Sequence, residues 1–391
     1  MRKNRARALG LAIGAVAFGG IGVAALGSTT ASANPRLGHQ GFPGFHAPGM
    51  VYMTTNSVTG SSVDAFASQP GGSLVLVGTF PTGGIGTGGS GFSQGAVALS
   101  ADGSTLLTVD AGSNQVSDFA VNQDGRLQLR DVVASGGIKP ISVAIVGGLV
   151  EVLNSGGTPN VTGFVATDAG LTPIAGGSQP LSSAANTPED VVISPDGSHV
   201  VVTEKVSNTI DTFAVGAGGT LSPAVTSPSD TPLSFAAVFT QTSQLLVADD
   251  GAAGTSALSS YRIASNGTVS DTQPSLPDAQ TAACWVAIAP RNGLFGDTAG
   301  IGTNVFVDNA GSGTMASYEV LPDGRLAFFG NTSAGVGAKP LDNAVSSDGR
   351  YLYVLDGNLN QISVFSIGAD AQLSPVGATP IPAGSAGIAA S

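Results

Sequence analysis

A seven-bladed β-propeller, a ring of four-stranded antiparallel sheets around one axis, is the fold this sequence predicts, and three observations carry it. A motif of strand, Asp-Gly turn, strand, turn and strand recurs along the chain with starts 44 to 57 residues apart. Val, Ile and Leu fall in short runs punctuated by Gly, Ser, Asn and Asp, which marks short strands and tight turns. Charged residues make up only 10% of the chain beside 57 glycines, too few for the Lys, Glu and Arg that cover solvent-facing helices.

The clearest copies are residues 95–127, 139–171, 187–221 and 339–373, and more divergent ones begin near Thr231 and Ala282. In the first, a short strand (Val97-Ala98-Leu99) meets the turn Asp102-Gly103, a strong hairpin signal. A second strand runs from Leu106 to Val109 and ends on a carboxylate. An alternating third strand (Val116 to Val121) and a further Asp124-Gly125 turn lead to a last strand, Leu127 to Val133. Six complete units follow. Met50–Asn56, Ser62–Ala67 and Leu74–Phe80 fit the second, third and fourth strands of a seventh, and 385–390 fits its missing first strand. Pairing the two ends closes the ring and removes its open edges. Two Gly-rich insertions, Gly83–Ser93 and Asn292–Thr303, fall where loops cross one face, the place where such scaffolds carry function.

Ahead of the propeller (51–391), residues 1–33 read as a signal peptide and 34–50 as a flexible Pro/Gly-rich lead-in. Arg2, Lys3, Arg5 and Arg7 precede an uncharged stretch from Ala8 to Gly27, and Ala31-Ser32-Ala33 offers a cleavage site before Asn34. The expectation is therefore a secreted, extracellular protein on the general secretory route, with no membrane span after cleavage and a monomeric state. Cleavage leaves 10 basic against 26 acidic residues, a net charge of −16, with no electrostatic footprint for nucleic acid. The single Cys284 forms no internal disulfide, so stability must come from a large core.

Two catalytic-looking motifs fail on context. Gly84-Ile85-Gly86-Thr87-Gly88-Gly89 has the letters of a dinucleotide fingerprint, but a strand follows where a helix N-terminus must face the pyrophosphate. Gly91-Phe92-Ser93-Gln94-Gly95 matches a nucleophile elbow, yet the only later histidine, His199, sits in an outer turn. His39 and His46 lie in the lead-in and make poor metal ligands.

Two sets of blade positions are better candidates. Asn56, Asp110, Asn154, Glu204, Asp249, Asp308 and Asp356 end the second strands. They read either as a polar ring for a cation or polyhydroxylated ligand, or as Asx-type residues binding backbone amides of their own turns. The first-strand entries, Ile141-Ser142, Glu189-Asp190, Leu233-Ser234, Cys284-Trp285 and Leu341-Asp342, vary between blades as a ligand-facing mouth would. Trp285 would either stack on a sugar or aromatic ring or fill space between blades.

With the blades in place, residues 50–391 resemble the lactonase family of seven-bladed propellers, which includes 6-phosphogluconolactonase-like and carboxymuconate-cyclising enzymes. The stretch from Val201-Val-Thr-Glu204 to Ser207-Asn-Thr-Ile210 also resembles surface-layer repeats named for Tyr-Val-Thr-Asn. The resemblance implies an active-site carboxylate at Glu204, after the Pro195-Asp196-Gly197 turn. Where the family pattern has Arg and His after the entry proline, this chain has Glu189 and Asp190, and Pro140-Ile141 stands where Pro-His is usual. A lactone-opening site must stabilise a developing oxyanion, which three carboxylates oppose.

Three functions follow as expectations. The first is a non-catalytic propeller binding a ligand or partner at an acidic channel mouth through Glu189, Asp190, Trp285, Asp342, Asp110, Asp249, Asp308 and Asp356. The second is a secreted lactone hydrolase with Glu204 as base and a divalent cation held by Glu189, Asp190 and Glu204 supplying positive charge. The third is a cell-envelope structural or adhesion module. Small molecules, sugars and envelope components are the partners these imply.

Overall fold

The computed structural model describes residues 49–89, 94–183, 187–251, 255–289, 303–368 and 371–391. The expected leader and cleavage site, both lead-in histidines, Ser93 and most of the 292–303 insertion lie outside these residues. Among the described residues, 28 strands form seven four-stranded antiparallel sheets, with one short 3-10 turn at Ala217–Gly219. The seven-bladed propeller is thus as the repeats predict. No described helix is long and apolar enough to cross a membrane.

One blade shows the plan: β12 (Pro188–Ile193), β13 (His199–Glu204), β14 (Thr209–Ala214) and β15 (Val225–Pro228), in that order from the axis outward. Its strands follow directly from sequence. Val200, Val201 and Val202 are fully buried because β13 is covered on both faces by neighbouring blades, and β-branched side chains suit such a surface. The turn Asp196-Gly197 closes the first hairpin; Gly197 has φ +69, a left-handed conformation that costs glycine little. The Asp196 carboxylate accepts bonds from Ser194 Oγ (2.7 Å), Ser198 Oγ (2.8 Å) and the Ser198 amide (3.0 Å). Those bonds hold its pKa below the usual range.

The innermost strands of the other blades are β4 (Val97–Leu99), β8 (Ile138–Val146), β16 (Ser234–Phe239), β20 (Ala283–Ile288), β24 (Pro340–Val345) and β28 (Ala386–Ala390). The last of these pairs antiparallel with β1 (Met50–Thr54), Val51 opposite Ala390 and Met53 opposite Ile388. The ring therefore closes with strands from both ends of the propeller segment in one blade. Beyond the ladder, the Ser391 amide donates to Met50 O (2.9 Å) and the Met50 amide to Ser391 Oγ (3.1 Å). The core lies between blades: Leu106, Phe119, Tyr52 and Met50, for instance, pack together across the first two sheets.

Candidate site at the channel mouth

Five inner strands share one irregularity. The ladder slips between Pro140 and Ser142, Pro188 and Asp190, Ser234 and Ala237, Ala283 and Trp285, and Pro340 and Asp342. Such bulges re-aim a side chain out of the regular alternation. Three side chains at these slips, Ile141, Glu189 and Phe235, line a cavity of about 650 Å³. Its walls also include Pro140, Pro188, Ala96, Val109, Ala111 and Ala386, the polar residues Asn56, Thr54, Thr87, Ser155 and Thr187, the backbone of Gly89, and two lysines, Lys139 and Lys205.

The lining is not acidic. Glu189 is its one carboxyl group, 5% exposed, and burial pushes its pKa up to about 8 against the opposing pull of Lys205 and Lys139. Lys205 Nζ stands 4.7 Å from the centre of the Phe235 ring, a cation–π contact, and 3.8 Å from Asp250 Oδ2. Trp285 lies behind Phe235, ring centres 5.1 Å apart and tilted by 58°, and is buried with no bond to its Nε1. It fills space between blades and supports the aromatic wall of the cavity.

The residue after each slip has a different duty. Asp190 accepts from Ser142 Oγ (2.8 Å) of the preceding blade and from the Ala237 amide (3.0 Å) of the following one. Asp342 likewise accepts from the Ile388 amide (3.1 Å) of the next blade and from its neighbour Asn343 (2.8 Å). Burial nevertheless pushes Asp190 up to about 7 and raises Asp342 well above the usual range. These carboxyl groups staple one inner strand to the next. In β16 the equivalent position is Ala236, whose methyl can staple nothing. Gln94, from the other side of the ring, takes over: its Oε1 accepts from the Val286 amide and its Nε2 donates to the Val286 carbonyl, both at 2.8 Å.

The second-strand set is turned inward. Asp110 accepts from Thr82 Oγ1 (2.8 Å) and Ser117 Oγ (2.6 Å), and Asp356 from the amides of Lys339, Asn358 and Leu359, each at 3.0 Å. Asp249 accepts from Ser259 and Ser229, and Asn154 donates to Ser135 O (3.1 Å). All four are buried and outside the cavity lining. Glu204 joins them: fully buried opposite Pro188, its Oε2 accepts from Ser182, Ser207 and Thr209, the last at 2.7 Å. Two assignments to this set shift in register. Ala283 pairs with Asn309, so Asn309 rather than Asp308 is the counterpart of Glu204, and Thr55 rather than Asn56 lies opposite Ser62, which like Thr209 faces the proline that ends the outer strand. Asp308 instead accepts from Asn343 Nδ2 (2.9 Å), and burial pushes it up to about 8.

The metal set expected from Glu189, Asp190 and Glu204 does not assemble. Among the described residues no group of three or more His, Cys, Asp or Glu is placed to hold an ion. The reason is local: Asp190 is turned toward Ala237, Glu204 into its own turn, and Glu189 into the cavity. The Gly84–Gly89 stretch is likewise a loop folded onto Asn56, which donates to Gly89 O (2.5 Å) and accepts from the Thr87 amide (2.8 Å). A β-carbon at Gly86 would come within 2.2–2.3 Å of the Asn56 carbonyl, so this glycine is there for close approach rather than for phosphate.

No protein-family model and no curated protein matches the sequence. Solved structures do match. A provisionally assigned 6-phosphogluconolactonase from Bacteroides fragilis superposes with a TM-score of 0.66 at 17% identity, over 87% of this chain and 97% of its own. One from Bacteroides uniformis gives 0.64 at 19% (85% and 97%), and the periplasmic gluconolactonase of Pseudomonas aeruginosa 0.63 at 16% (87% and 98%). The chain therefore has the fold of the 6-phosphogluconolactonase-like seven-bladed propellers. Identities this low speak to fold, and activity must be argued from the site.

Lys139, Lys205 and Phe235 were not among the residues that sequence patterns singled out. A signal for the lysines existed. The chain has four, and three flank blade landmarks: Lys139 and Lys339 precede the entry prolines Pro140 and Pro340, and Lys205 follows Glu204.

Proposed function

We propose that the protein is an exported, lactonase-like propeller that binds a small molecule in the mouth cavity without transforming it. The observation that supports this reading most directly is the fate of the family's carboxylate. Glu204 is withdrawn behind Pro188 and bonded by three hydroxyl groups, while the cavity keeps apolar walls with a few polar groups, the usual make-up of a ligand seat. Its volume suits a ligand of drug size or smaller. The test is a thermal-shift panel of hydroxy acids, lactones and sugars, run beside pH-stat assays of lactone opening. A saturable rise in Tm without turnover is expected, because a ligand that binds only the folded state stabilises it by mass action. Retention in the cell envelope with no ligand in any class would favour a structural module instead. Export is checked by the mass of the protein recovered from the medium, which should begin at Asn34.

A second reading rests on Glu189. A buried carboxyl group with its pKa near neutrality beside two ammonium groups is a workable acid–base pair for lactone hydrolysis, the activity named for the Pseudomonas neighbour. Lactone turnover that vanishes in Glu189→Gln would favour it over simple binding.

A further inference from the structure

We infer that the mouth cavity selects a small organic anion with a flat apolar body, its carboxylate held between Lys139 and Lys205 and its body against Phe235 and Ile141. This deepens the binding reading above and rests on it. Four observations lead there. The protein is strongly acidic, yet after the leader it has only three lysines, and two of them line this one cavity. Lys205 is held in place: its ammonium lies over the Phe235 ring at 4.7 Å, and its Asp250 contact, at 3.8 Å, is too long for a tight ion pair. Lys139 is exposed with no ion pair among the described residues, and its backbone, at φ +56, is held by a hydrogen bond that its amide donates to Asn114 Oδ1 (2.7 Å). Apolar side chains stand beside the cations in the same lining: Ile141, Pro140, Pro188, Val109, and the Phe235 ring braced by Trp285.

The one carboxyl group in the lining strengthens the case, since burial keeps Glu189 largely protonated at neutral pH, so it opposes an anion little. In an acidic molecule the two ammonium groups give the cavity a local field opposite to that of the surrounding surface, and charge of one sign in a low-dielectric cleft concentrates its counter-ion. The flat-body requirement follows from Phe235, which can offer one face to a planar group while its neighbourhood binds the cation.

Trp285, the chain's only tryptophan, touches Phe235 and so reports on the cavity by fluorescence. Benzoate, benzamide and acetate are titrated into the mature protein, following Trp285 emission and heat of binding. Benzoate should bind roughly tenfold or more tightly than either benzamide, which lacks the charge, or acetate, which lacks the body. Lys139→Met and Lys205→Met should each weaken benzoate by about threefold to tenfold and leave benzamide unchanged, with Lys205→Arg restoring much of the loss. Unaltered melting curves confirm that the variants fold. Equal affinity for benzoate and benzamide, no binding of benzoate at all, or a double lysine variant that binds benzoate normally would each overturn the inference. Lactone turnover would instead defeat the non-catalytic reading and leave the anion preference standing.

Discussion

Glu151 offers the sharpest test of how this propeller is held together. It lies in the second strand of its blade opposite Gly163, is fully buried, and neither carboxyl oxygen has a hydrogen-bond partner. Space for it is made by Gly163, where a β-carbon would stand 3.1 and 3.4 Å from the two oxygens. Burial raises its pKa well above the ordinary glutamate value of 4.5, because nothing around it solvates the charged form, and the neutral acid that folding favours is buried without bonds. Such a group costs about 1–3 kcal/mol relative to an apolar one of the same shape. Glu151→Met, similar in length and flexible enough to fill the site, should therefore stabilise by roughly that amount near pH 4.5, raising Tm there by about 2–6 °C. The sign of the pH dependence follows. Above 4.5 the unfolded chain has released this proton while the folded chain keeps it. Wild-type stability contributed by Glu151 is thus fully present below 4.5 and falls as pH rises toward the higher folded pKa, by up to about 1.4 kcal/mol per pH unit. Urea unfolding of both proteins from pH 4.5 to 8 isolates this group, because every other buried acid is common to the pair. The advantage of the Met variant should widen with pH. A constant difference, or a Met variant less stable than wild type at pH 7.5, would refute the reasoning.

Three further outcomes are expected. Gln94→Ala should cost about 1–3 kcal/mol in urea unfolding, since it leaves both the Val286 amide and carbonyl without their partner, and Gln94→Glu, which keeps an acceptor but loses the donor, should fall between. Benzoate affinity should decline as pH rises through about 8, where Glu189 ionises and places a negative charge in the cavity, and Glu189→Gln should flatten that profile between pH 6 and 9. Cys284 is 6% exposed and burial pushes its thiol up to about 12, so it should resist a disulfide reagent at pH 8 until the protein is unfolded in urea.

The fold was legible because its signals are local and repeated. Asp196-Gly197 and Asp102-Gly103 state where hairpins turn, and the buried run Val200–Val202 states that a strand is covered on both faces. The site was legible only in part. Glu189 could be found at a blade entry, but the roles of its neighbours could not, because side-chain direction flips at each bulge. Glu189 and Asp190 are adjacent in sequence, yet one faces the cavity and the other staples the next blade. The register of Asp308 was misplaced for the same reason: two acceptors, Asp308 and Asn309, end that strand, and only the pairing with Ala283 decides between them. The lysines escaped notice because no repeat marks them. Gln94 could not have been foreseen, since its partner lies 192 positions away.

The pairing of β1 with β28 also bears on how the molecule comes apart. Six sheets can each zip up from contiguous chain, but this one must bring together strands more than three hundred residues distant, a loop closure costing about 5 kcal/mol of chain entropy. That seam is where unravelling by heat, force or protease should begin. A circular permutant that joins Ser391 to Met50 and reopens the chain between two other blades would move the weak point to the new cut, leaving the present seam as ordinary contiguous sheet.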